Sequence, residues 1–234
     1  MERSDFAFVK GVRDTRGALT RWNSDPWPVL RGWLLGAAAV TAALLSAVWM
    51  IGTITTPDAG SSGSYLPGFN APAGLGDVGA VLFRNSLVLA LHALACVAGF
   101  IAGSSLPAEA AARSPLMRRA HDHIGRAAIV FVLCATTFSL VTQALTIGHA
   151  ASSLAADQGM SVGLLLLGLL PHAIPELMAL FLPLAAWMLA SRRGAWHELL
   201  AATFVTTAMA IPVLVLAAFI EVFVSPHLLL ALRG

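Results

Sequence analysis

The residues with the clearest chemical capacity are His172 and Glu176, set between Pro171 and Pro175 in SVGLLLLGLLPHAIPELMALFLPLAAWMLA (161–190). The surrounding run is apolar enough to lie in a bilayer. An ionisable group at mid-depth there costs at least about 3 kcal/mol, so the pair must face protein or a water-filled cavity. One turn apart, the two side chains share a helix face and can hydrogen-bond to each other. An imidazole titrates near neutral pH, so His172 can act as acid or base. The alternative is structural: each proline deletes a backbone donor, and freed carbonyls need polar partners.

Further polar groups recur in the other apolar runs. His92, Cys96, Gly99 and Gly103 are spaced four, three and four apart. They share one face, and the Gly99/Gly103 pair permits close helix approach. His92 and Cys96 then serve either as packed interior groups or as an acid–base or thiolate–imidazole pair. Arg84, Asn85 and Glu221 fall at the outer ends of two spans, where Arg84 and Glu221 can pair as a structural bridge or as the mouth of a cavity. Ser139, Thr142, Gln143 and Thr146 form a polar stripe that either joins helices or lines a cavity wall. The HDH stretch within Arg118, Arg119, His121, Asp122, His123 and Arg126 does not put both histidines on one helical face. It reads as a basic surface for lipid headgroups or a partner. We find no metal, cofactor or nucleic-acid motif, and Cys96 and Cys134 suggest no disulfide framework.

The elements that position these groups are membrane spans. Hydrophobic residues make up 58% of the 234-residue chain and charged residues 11%, with mean hydropathy +0.80. Soluble domains average about 25% charged residues. The expected fold is all-α and polytopic, with about five spans at 29–52, 82–105, 127–150, 161–190 and 199–224. The fourth, too long for a straight crossing, is expected to be either strongly tilted or broken into two half-helices at Pro171–Pro175, with re-entry a further alternative. Residues 1–28 form an interfacial segment rich in Trp and Arg, 29–226 the membrane domain and 227–234 a short tail. The loop over 53–80 is rich in Gly, Pro and Ser and could act as a lid.

Arginine sets the expected orientation. Arg13, Arg16, Arg21 and Arg31 precede or open the first span; Arg113 to Arg126 and Arg192–Arg193 mark two further connections. Residues 53–80 and 151–160 contain no Lys or Arg. The positive-inside rule places the N-terminus in the cytoplasm and the C-terminus outside.

Two segments resemble a known family. Pro171-His172-Ala173-Ile174-Pro175-Glu176-Leu177 is similar to a motif of the stage II sporulation protein M family of bacterial membrane proteins, with Ala173 where glycine is usual. Ala217-Ala218-Phe219-Ile220-Glu221-Val222-Phe223-Val224-Ser225-Pro226 resembles its closing motif, and Asn85 its early asparagine helix. The resemblance implies a helical membrane domain that works in envelope or peptide-maturation complexes. The leading expectation is a subunit that holds a hydrophobic peptide or partner in a polar cavity lined by spans two, four and five. Its partners would be membrane lipid, other protein subunits and a hydrophobic peptide. The alternatives are a cofactor-independent peptide-modifying enzyme, such as an epimerase using His172, Glu176, His92 and Cys96, and a permease subunit.

Overall fold

A computed structural model describes residues 7–58, 68, 71–105 and 115–233. The side chains of 7–10, 105 and 115–128 lie outside the description, and with them the basic stretch from Arg118 to Arg126. The 59–67 part of the Gly/Pro/Ser loop also lies outside it.

Among the described residues the fold has seven α-helices: α1 (Ala7–Ser24), α2 (Trp27–Ile54), α3 (Leu75–Phe100), α4 (Pro115–Asp157), α5 (Val162–Arg193), α6 (Leu199–Phe219) and α7 (Ser225–Arg233). One π turn, Ile101–Ser105, ends α3, and another, Ile220–Val224, joins α6 to α7. Among the described residues five helical segments are long and apolar enough to cross a membrane: Trp27–Ile54, Leu75–Ser104, Ile129–Asp157, Val162–Arg193 and Trp196–Arg233. Helices satisfy every backbone group internally, as a bilayer demands.

The fourth span corrects the expected break. Helix α5 is one uninterrupted run of 32 residues, through Pro171, Pro175 and Pro183. Each proline removes one ladder bond, but its fixed φ near −65° is a helical value. No water competes for the remaining bonds in a bilayer core, so the ladder survives these gaps. At about 1.5 Å per residue the helix is about 48 Å long, which exceeds a ~30 Å core and calls for tilt or projection. The segment after Glu221 is also helical, so the expected tail is α7.

The chain forms two compact units: Met1–Ala37, Val88–Thr136 and Leu180–Ala210; and Ala38–Leu87, Thr137–Ala179 and Ile211–Gly234. In the first, Phe181, Ala185, Trp187, Leu199 and Ala201 are buried. Small residues permit this: a Cβ on Gly99 would lie 2.7 Å from Trp187 Nε1, and one on Gly36 2.9 Å from Ala185 Cβ. Helix α1 is tied in by Trp22, edge-on to Trp33 at 5.2 Å, and by Arg21, which donates to Glu198 at 2.7 Å. In the second unit, Val78, Val81, Ala218 and Val222 pack together, as do Ala151, Ala155, Leu165 and Leu229. Ser152 Oγ donates to the Thr55 carbonyl at 2.8 Å, and Asp58 N to Ser153 Oγ at 3.1 Å, which fastens the start of the long loop to α4.

Candidate functional site

The polar groups of the second unit converge from three stretches of chain. Helix α5 presents His172 and Glu176 on one face, one turn apart. The first half of α3 brings Arg84 and Asn85. The π turn between α6 and α7 brings Glu221, with Ser225 just after it. The π turn fits the local sequence. Ser225 N bonds back to the Ile220 carbonyl, the five-residue span of a π turn, and Pro226 has no N–H to donate to Val222. Gly68, at φ +77, fits against that break: a Cβ there would lie 2.8 Å from Pro226 and 3.2 Å from the Val222 carbonyl oxygen. Both its left-handed φ and the close approach require glycine. Single π turns within α-helices recur at functional sites.

One ligand-capable atom from each of His172, Glu176 and Glu221 lies within 4.8 Å of the other two. His172 Nδ1 is 2.7 Å from Ser225 Oγ. This corrects the expected bond to Glu176; the imidazole finds a closer partner across the unit than along its own helix. Arg84 Nη2 donates to Glu221 Oε1 at 3.5 Å. Asn85 lies beside the Glu176 carboxylate, which also feels the charges of Glu221 and Arg84. Yet Asn85 Nδ2, Glu176 Oε2 and Glu221 Oε2 are buried without a hydrogen bond. Two carboxyl groups beside one guanidinium must either keep a proton or take a further positive partner.

Of these groups, Arg84, His172, Glu221 and Ser225 open onto a cavity of about 460 Å³. Asp77, Arg84, His172, Glu221 and Ser225 provide its polar wall, and Val81, Leu169, Val222 and Leu229 much of its apolar wall. The expected contributors, spans two, four and five, are joined by Leu154 of α4 and by Gln158 just past its end. Asp77 also accepts from Gly74 N at 2.9 Å, capping the start of α3.

The other candidate residues are placed differently. His92 and Cys96 belong to the first unit. His92 Nδ1 bonds the Leu180 carbonyl at 2.9 Å and its ring meets Phe181 edge-on. Cys96 Sγ donates to the Pro183 carbonyl at 3.1 Å. Gln143 donates to Ser139 Oγ at 3.0 Å within α4, while Thr142 and Thr146 are exposed. Ser225 was the residue that sequence reasoning did not single out as a site group; its place beside Pro226, just past Glu221, was the available signal.

With this geometry in place, residues 127–226 match the family model for stage II sporulation protein M. Over that stretch the chain is similar to the stage II sporulation protein M family. The family region includes His172, Glu176, Glu221 and Ser225, and it ends at Pro226, beside the π turn. Arg84, Asn85, His92 and Cys96 precede it, so α3 completes the cluster from outside the matched stretch. Comparison with curated proteins and with solved structures gives no match.

Proposed function

We propose that this stage II sporulation protein M-like protein is a membrane subunit that holds a segment of hydrophobic peptide in the cavity of the second unit, as part of a peptide-maturation, export or envelope complex. The observation that carries the reading is the cavity wall. It pairs apolar side chains, suited to a hydrophobic segment, with a few convergent polar groups able to orient a backbone. Its volume of about 460 Å³ falls in the range of small-ligand sites.

A second reading is an enzyme acting on that peptide. It is supported by the His172–Ser225 contact and by the two carboxylates beside it, which together offer acid, base and hydroxyl groups within one cluster. The permease alternative drew on a broken fourth helix, and the continuity of α5 removes that motive. The expected membrane is the bacterial cytoplasmic one, with the N-terminus inside, supported by the arginine distribution.

The test is mass spectrometry of the protein extracted gently from its own membrane, wild type beside Glu176→Gln. A hydrophobic peptide bound to both and identical in both supports the holding role. A peptide that differs in mass or stereochemistry between them supports the enzyme. If no peptide accompanies either, the proposal fails. Alkaline phosphatase fused after Arg233 should be active if the C-terminus is outside.

A further inference from the structure

We propose that His172, Glu176 and Glu221 form a binding site for one divalent first-row transition cation, zinc being the best match to their chemistry. The proposal stands apart from the peptide reading, since it concerns the cluster whether or not a peptide enters the cavity.

Four observations carry it. First, the donor set is an imidazole and two carboxylates, each able to give one ligand atom, all within 4.8 Å of one another. Metal–ligand bonds of about 2.1 Å at tetrahedral angles place ligand atoms about 3.4 Å apart. The side chains therefore need only draw together around the ion.

Second, the acceptors are free. Glu176 Oε2 and Glu221 Oε2 are buried and make no hydrogen bond. Arg84 engages only Oε1 of Glu221, and its own side chain is 67% exposed. Buried charged acceptors without donors are costly, and a cation satisfies both at once.

Third, the imidazole is prepared for coordination. His172 is only 8% exposed, and its Nδ1 is engaged by Ser225 Oγ at 2.7 Å. With the Nδ1 proton given to that hydroxyl, Nε2 keeps its lone pair for a metal. A ligating histidine ordinarily has such a partner on its other nitrogen, which fixes tautomer and ring orientation.

Fourth, Asn85, 3% exposed, lies beside Glu176 with an unpaired amide. It is placed to hold or supplement that ligand.

A mixed nitrogen–oxygen set of this kind suits zinc, iron or manganese rather than magnesium or calcium. Three protein ligands leave a fourth position open, as in catalytic rather than structural zinc sites. His172 and Glu221 both line the cavity, so that position is within reach of a molecule bound there.

The experiment is elemental analysis of the full-length protein purified in detergent without chelator, followed by titration of metal-depleted protein with Zn²⁺ and with Co²⁺. Wild type should retain about one equivalent of zinc per chain after washing. Co²⁺ should give the visible absorption of a low-symmetry site. Glu176→Gln and Glu221→Gln should each lower metal content or affinity by about tenfold or more, while Cys96→Ala, in the other unit, keeps both. Circular dichroism and size-exclusion profiles show which variants are folded. Where a variant does not fold, wild type alone decides: less than about a tenth of an equivalent of metal, with no cobalt spectrum, overturns the proposal. Equal metal in wild type and in folded Glu176→Gln and Glu221→Gln also overturns it, because the ion would then lie elsewhere.

Discussion

The imidazole Nδ1 of His172 and the hydroxyl oxygen of Ser225 lie 2.7 Å apart, although 53 residues separate them in the chain. The contact links the middle of α5 to the first residue of α7, and it is buried on both sides. A buried ring nitrogen with one such partner depends on it. Ser225→Ala should lower stability by about 1–3 kcal/mol, the cost of leaving a buried polar group unpaired. Thermal unfolding in detergent checks this. A melting point equal to wild type would mean that the hydroxyl does not hold the ring.

Arg84 and Glu221 should behave as a coupled pair. Arg84→Ala leaves the Glu221 carboxylate facing Glu176 without its guanidinium. Glu221→Gln removes the charge that needed compensating. The double variant should therefore be more stable than the sum of the singles, by about 0.5–1 kcal/mol given how exposed Arg84 is. Additive losses in a double-mutant cycle would remove the ion pair from the account.

Two glycines of α3 should respond to alanine with opposite signs. At Gly99 the new methyl would crowd Trp187 and Leu199 at 2.7–2.9 Å, and overpacking of this kind costs about 1–3 kcal/mol. At Gly79 nothing lies within 4 Å, and a mid-helix glycine replaced by alanine gains about 0.5–1 kcal/mol. Melting curves of the two single variants test the contrast.

His92 and Cys96 should prove structural. His92 Nδ1 and Cys96 Sγ are directed at the carbonyls of Leu180 and Pro183, in the unit that does not contain the Glu176 cluster. His92→Asn and Cys96→Ala should lower the melting temperature yet leave bound-peptide occupancy at the wild-type level. Loss of peptide in a folded Cys96→Ala protein would return that pair to the functional site.

Much of the fold is readable from hydropathy, because the bilayer imposes one demand on every span. The pattern places five spans and their approximate limits. It also marks His172, Glu176, Arg84, Asn85 and Glu221, since each is a polar group in an apolar run. It does not reveal their meeting. His172 and Glu221 lie on different helices with no local spacing between them, so no ligand motif appears along the chain. The prolines of α5 mislead for a physical reason: they remove donors without supplying a competing conformation, and within a membrane the helix continues. The pairing of His172 with Ser225 rather than Glu176 depends on how the π turn sets Ser225, and Pro226 marks a missing donor there without specifying that turn.

That turn makes the site sensitive to the count of residues as much as to their kind. An α-helix advances about 100° per residue. A π turn holds one residue more than an α turn over nearly the same rise, so the chain on its two sides keeps register. Deleting Phe223 would let Ser225 close onto the Ile220 carbonyl as an ordinary α-helical bond, still one turn along, with His172 and Gly68 in reach. Inserting one residue there, with no second bulge to absorb it, would turn everything beyond by about 100° and carry Ser225 away from His172. The site therefore tolerates a shorter chain at this point better than a longer one.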